Sequence, residues 1–271
     1  SLFCTERKKP MPRKKTTGRA VTAAKPDTNL AKLPQRLAIG DTEIRPTQLF
    51  VHTARHPKMH GPWSNEPDKL SWIDPKTGKV FWTIPWKIRS GLTIPTPQMI
   101  DERHLFLTCF YNGSMLLKLK DDESKPDIVY RTEHASEKKT THLHGIMNTP
   151  VLHDGHLYAA CSYGQFRCME ALTGKRVWES LKPIAHKEPA RWGTVFVTPH
   201  EDRHFLFTEQ GDLVIAKLST SGYQEIDRAH VIEPNGLDLR QRDIVWSHPA
   251  YARKCAFIRN DTEVICVSLA K

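Results

Sequence analysis

Arg89, His142 and Arg191 stand at matching distances ahead of Pro97, Pro150 and Pro199, and Gln241 takes the same place ahead of Pro249. Two positions further on come Gly91, His144, Gly193 and Asp243, with Trp192 and Arg242 between the two rows. A guanidinium is planar and forked, so it binds a carboxylate or phosphate through two parallel hydrogen bonds. Arg89, His142, His144, Arg191, Trp192, Arg242 and Asp243 therefore make a candidate site for an anionic small molecule or a protein partner. The same charges serve equally well as a solvated rim with local ion pairs.

Metal and catalytic chemistry find less support. His142 and His144 share one face of an extended strand, and His52, His56 and His60 recur every four residues. A metal site needs three or four converging ligands, and neither group shows a third partner. Asp243 is the lone carboxylate of the rows, a poor cage for a hard cation that takes about six to eight oxygens. No Gly-x-Ser-x-Gly, phosphate loop or His-Glu-x-x-His occurs, so no catalytic residue and no metal ligand is assigned. The six cysteines include no Cys-x-x-Cys pair. Five of them lie in apolar strand-like runs and read as buried thiols, and a two-residue turn at Asn260-Asp261 would set Cys255 opposite Cys266, within reach of a disulfide.

The elements that position these residues come from a repeat. Tight turns are expected at Asn112-Gly113, Tyr163-Gly164, Gln210-Gly211 and Asn260-Asp261, each between two apolar strand-like runs. Ahead of each hairpin a further strand is expected to end in proline: Thr93–Pro97, Ile146–Pro150, Val195–Pro199 and Ile244–Pro249. After the hairpin comes a fourth strand, marked by Trp82, Tyr130, Trp178 and Ile226, each 48 residues from the last. A four-stranded meander repeated at fixed period is a blade of an all-β propeller. Runs such as Val195–Val197 are apolar without alternation because neighbouring blades cover both faces. About four to five blades of four antiparallel strands are expected, over residues 45–88, 89–135, 142–185, 190–235 and 241–271, as a partial ring. The last unit ends after its third strand, and Leu37–Ile44 is a candidate for the missing one.

Two turns carry a sharper signature. Trp72-Ile-Asp-Pro-Lys-Thr-Gly-Lys-Val-Phe-Trp82 and Cys168-Met-Glu-Ala-Leu-Thr-Gly-Lys-Arg-Val-Trp178 share an acid, Thr-Gly-Lys and a tryptophan four residues after the glycine. Asp74 and Glu170 are expected to accept backbone amides of the turn. Gly78 and Gly174 are expected in the left-handed region, and Trp82 and Trp178 to pack between blades. This pattern resembles the repeat of bacterial pyrroloquinoline-quinone-like (PQQ-like) β-propellers. That group includes quinoprotein alcohol dehydrogenases and the non-enzymatic lipoprotein of the outer-membrane barrel-assembly machinery. In the dehydrogenases the quinone is held by adjacent cysteines, a tryptophan floor and a carboxylate-bound calcium, with a catalytic aspartate, inside a ring of about eight blades. This chain has no adjacent cysteines. The resemblance thus implies a non-catalytic protein- or ligand-binding scaffold without PQQ or calcium. The alternative within the family is a fragment of a PQQ-dependent dehydrogenase.

Residues 1–25 carry eight cations against Glu6, which is most of the net charge of +10. Residues 1–35 read as a basic flexible tail, either solvated or bound to nucleic acid or another anionic surface. The propeller is expected over 36–271. No apolar run approaches the ~18 residues of a membrane span, and no apolar segment of a signal peptide follows the first charges. The family resemblance implies a periplasmic or other extracytoplasmic location.

Overall fold

In a computed structural model the described residues are 37–39, 42–44 and 49–51, followed by 69–270 without 75–76, 133–134, 185–186 and 238–241. Residues 1–36, His52, His56, His60 and Gln241 lie outside them, and with them the tail and part of the rim rows.

Five antiparallel sheets follow one another along the chain. The first holds β3 (Leu49–Val51), β4 (Lys69–Ile73) and β5 (Val80–Pro85), after a separate hairpin of β1 (Leu37–Ile39) and β2 (Thr42–Ile44). The second holds β6 (Gln98–Met99), β7 (His104–Cys109), β8 (Gly113–Lys118) and β9 (Asp127–Arg131). The third is β10 (Val151–His153), β11 (His156–Ala160), β12 (Phe166–Glu170) and β13 (Arg176–Ser180). The fourth is β14 (Val195–His200), β15 (Arg203–Thr208), β16 (Asp212–Ser219) and β17 (Gly222–His230). A two-stranded link, β18 (Gly236–Leu237) with β19 (Asp243–Ile244), leads to the fifth: β20 (Ala250–Ala252), β21 (Cys255–Arg259) and β22 (Val264–Ser268). Every sheet is a meander in chain order, the architecture of a β-propeller, and among the described residues the ring does not close. Among the described residues no helix is long and apolar enough to cross a membrane.

The reason for this stacking is visible in single strands. In β7, Leu105, Leu107 and Cys109 join the core shared with the first sheet, while Phe106 joins the core shared with the third. In β11, Leu157 and Ala159 face the second sheet, and Tyr158 and Ala160 face the fourth. In β15, Leu206 faces the third sheet, and Phe205 and Phe207 face the fifth. Successive side chains point to opposite faces, so a strand apolar at every position needs a neighbour on both sides.

The signature turns form alike. The Thr77 hydroxyl donates to Asp74 (2.6 Å) and accepts the Lys79 amide; Thr173 does the same between Glu170 (2.7 Å) and Lys175. In both turns the threonine hydroxyl links the acid to the lysine amide. Gly78 and Gly174 both sit at φ 73°. Trp82 stacks obliquely on Trp72 at 5.6 Å. Half-buried Trp178 lies against Tyr158 and Phe166, and its indole N–H donates to the Ser219 carbonyl of the fourth sheet.

Four expectations are corrected. Strands β6, β10 and β20 begin just after Pro97, Pro150 and Pro249, and only β14 contains its proline. Proline has no N–H for the ladder, so it sits most easily at a strand's start. Leu37–Ile44 closes on itself, with Ile39 paired to Thr42, instead of completing the fifth sheet. A short local loop costs far less entropy than one spanning the molecule. The connection at Asn260 has four residues, its side-chain carbonyl accepting the amides of Thr262 and Glu263. Cys255 therefore pairs with Ser268, and Cys266 with Phe257. Finally, the last strand of each of the first four sheets bulges, leaving Phe81, Val129, Val177 and Ile226 unpaired. Asp227, not Ile226, is the register equivalent of Trp178, because the fourth unit gained one residue.

Trp178→Ala should cost about 3 kcal/mol in denaturant unfolding, as for other aromatic truncations. Gly211→Ala should cost more than Gly78→Ala. A Cβ at Gly211 would lie 1.8 Å from the Ile232 carbonyl oxygen, whereas Gly78 has open space and should lose only ~1 kcal/mol of left-handed strain. Burial, with a smaller contribution from His153, pushes the His204 imidazole down to about 4. Its unfolded value is near ~6.5, so the folded state holds it neutral. Its share of stability is complete above about pH 6.5 and lost as pH falls toward 4. Urea titrations across that window should show a shallower acid loss in His204→Phe.

Candidate functional site: an arginine–aromatic rim

The meander puts the β7–β8, β11–β12 and β15–β16 turns at one end of their sheets, with the loops that leave each sheet laid over them. Ser136 N–H donates to Tyr111 O, Ala190 N–H to Tyr163 O, Trp192 N–H to Ser162 O, and Val245 N–H to Glu209 O. The loop after each sheet is thereby sewn to that sheet's own hairpin, which carries the candidate residues to one rim.

Arg191 is the hub. Its guanidinium donates twice to Glu137, through Nε at 2.9 Å and through Nη2, and also to the Tyr111 hydroxyl at 3.0 Å. It lies 4.6 Å from the Trp192 ring centroid and 5.8 Å from that of Phe110. Glu137 also accepts the Tyr163 hydroxyl at 3.1 Å. Exposed Arg89 covers the other part of the platform, 4.8 Å above the Tyr111 ring, with its own amide bonded to Asn112. Arg242 donates to the Arg191 carbonyl at 3.0 Å and to Glu209 at 2.6 Å. The Glu209 side chain is fully buried and also accepts the Trp246 indole N–H at 2.9 Å. Trp192 holds a left-handed φ of 66°, unusual for a bulky side chain. Such a conformation persists only where the surroundings fix it.

Of the seven residues singled out by spacing, the fold gathers Arg89, Arg191, Trp192 and Arg242 into this chain of contacts. Asp243 is exposed and opens β19, paired with Leu237. The two histidines go elsewhere. His144 is fully buried, its Nδ1 bonded to the Phe110 carbonyl at 3.1 Å. His142 stacks on Tyr130 at 5.4 Å, bonds Thr141, and has its pKa lowered by burial and then by Arg167. Arg167 pins that segment from inside, donating to the His142 carbonyl (2.6 Å), to Thr140 (2.7 Å) and to Glu179 (2.7 Å). Among the described residues no group of three or more His, Cys, Asp or Glu side chains is placed to hold a metal.

The carboxylates that fix the rim, Glu137 and Glu209, were not singled out from the sequence. Glu209 had a signal: Tyr111, Ser162 and Glu209 all stand two residues before a hairpin glycine, so that position faces the rim in each unit. Glu137 lies in a loop without periodicity and had none.

No family model matches the chain, and no curated protein matches it. Among solved structures, BamB from Moraxella catarrhalis is similar at 12 % identity and a TM-score of 0.45, over 74 % of this chain and 51 % of that one. The β-propeller domain of Myceliophteria thermophila Cps50 (Swd1) is similar at 13 % identity and a TM-score of 0.45, over 73 % and 62 % respectively. The chain thus spans about half the length of the first and less than two thirds of the second.

Glu209→Gln should cost about 1–3 kcal/mol, because it takes the charge from a fully buried carboxylate that the Arg242 guanidinium and the Trp246 indole both bond. Arg203→Ala, which breaks an exposed pair with Asp202, should stay within about 0.5 kcal/mol in the same urea titrations.

Proposed function

We propose that this chain is a PQQ-like-repeat β-propeller that works as a non-catalytic binding scaffold, with the arginine–aromatic rim as its partner-binding face. In this reading residues 36–271 form the propeller, residues 1–35 a basic tail, and the location is extracytoplasmic. One observation carries it: Arg89, Tyr111, Arg191, Trp192 and Trp246 lie in a single contact chain held by Glu137 and Glu209. Tyr, Trp and Arg dominate binding hot spots because they offer large contact areas together with directional hydrogen bonds. Here their rotamers are fixed by ion pairs before any partner arrives, which lowers the entropy lost on binding. The guanidinia of Arg191 and Arg242 already have carboxylate partners. A free acidic ligand would have to displace those pairs, so a protein surface that lies across them is the better fit.

A photo-crosslinking residue at Arg89 or Ser90, tested in extract of the native cells, should give a discrete protein adduct. The same residue at Asp121, an exposed site at the other end of the second sheet, should not. Equal adducts at all three positions, or none at any, would contradict the rim as the binding face. Calorimetry of the purified chain with PQQ and calcium should show no saturable binding, and dye-coupled assays no alcohol oxidation. Micromolar binding with turnover would restore the dehydrogenase reading.

A further inference from the structure

The second feature of interest lies at the opposite strand ends, between the fourth and fifth sheets. A cavity of about 560 Å³ opens there, lined by His200, Glu201, Phe205, Tyr251, Arg253 and Lys254 among others. That volume is in the range of small-molecule sites. Its aromatic wall is a column of three rings. His200 stacks on Phe205 at 5.2 Å, and Phe205 stacks on Tyr251 at 5.1 Å with the planes 16° apart. The column crosses from one sheet to the next, since Phe205 belongs to β15 and Tyr251 to β20.

One further observation points to a ligand, the turn between β20 and β21. Ala252 pairs with Cys255, so Arg253 and Lys254 are its two central residues, at φ 51° and 58°. Both angles lie in the region that Asn and Gly adopt most cheaply, and two-residue hairpins with that geometry favour Asn-Gly or Asp-Gly. The equivalent turn of the third sheet obeys this: His153 pairs with His156 around Asp154-Gly155, at φ 46° and 69°. The fifth sheet instead holds two long cationic side chains in a strained turn beside an aromatic cavity. Strain retained in this way is a pointer to function.

We infer that this cavity binds a planar aromatic anion, its ring against the aromatic wall and its negative group on Arg253 and Lys254. Aromatic faces take rings of any kind, and the paired cations supply the selectivity for charge. The anionic group can be a phosphate, as in a nucleotide, or a carboxylate, as in an aromatic acid, and the two are separated by experiment. The site is distinct from the rim and does not depend on the rim's role.

Adenosine 5′-monophosphate and indole-3-acetate serve as probes in calorimetry at low salt, with adenosine and inorganic phosphate as controls. At least one probe should bind with a submillimolar Kd, at least 10-fold tighter than either control, and the better probe identifies the anion. The double variant Arg253→Asn, Lys254→Gly supplies the residues that the turn prefers. It should melt several degrees higher than the parent and bind the better probe at least 10-fold more weakly. No saturable binding of either probe, or undiminished binding by the double variant, would overturn the inference.

Discussion

Burial on both faces of every inner sheet is the constraint from which the rest of this structure follows. A strand such as Leu105–Cys109 is apolar on each side, so it cannot stand in a single layer with one face in water. Each sheet must be sandwiched, and a meander sandwiched between copies of itself gives a series of radiating blades. Twist does the remaining work, because each sheet presents its strands at an angle to the next. Local order then follows from short loops: hairpins within a sheet, and single crossings between sheets.

Those crossings create the rim. A loop that leaves one sheet has to pass over that sheet's own hairpin turn on its way to the next, and its backbone amides need partners there. The hairpin carbonyls at Tyr111, Ser162, Tyr163 and Glu209 provide them. Side chains on these loops are then held within reach of hairpin side chains, those of the same sheet for Arg242 and Glu209 and those of the preceding sheet for Arg191 and Tyr111. The fully buried Glu209 carboxylate is tolerable only because a guanidinium and an indole N–H both bond it.

The fold was legible in the sequence because its signals are local and repeat. The turns at Gly113, Gly164 and Gly211 fall where the spacing puts them, with φ of 72°, 82° and 83°, and the fourth strands contain Tyr130, Trp178 and Ile226. What failed was counting by one or two residues. A four-residue turn in place of a two-residue one moved Cys266 from Cys255 to Phe257, and an extra residue moved the Trp178 equivalent from Ile226 to Asp227. A pairing register is decided by bulges and turn lengths, which composition does not reveal. The rim was half legible. The cations could be aligned because they keep step with the prolines, but their carboxylate partners come from different units, and no spacing rule links Arg191 to Glu137. His142 and His144 kept step as well, yet the loop that carries them turns inward, where Arg167 and the Phe110 carbonyl hold it.

The central claim is that ion pairs between units fix the rim before anything binds to it. A double-mutant cycle on Arg191 and Glu137, with Arg191→Ala, Glu137→Ala and the pair in urea unfolding, tests this most directly. The two side chains are 18 % and 22 % exposed, so the account predicts a coupling of about 1 kcal/mol or more, as for contacting residues in one network. Additive effects, with a coupling below about 0.3 kcal/mol, would mean that the pair does not hold the rim together.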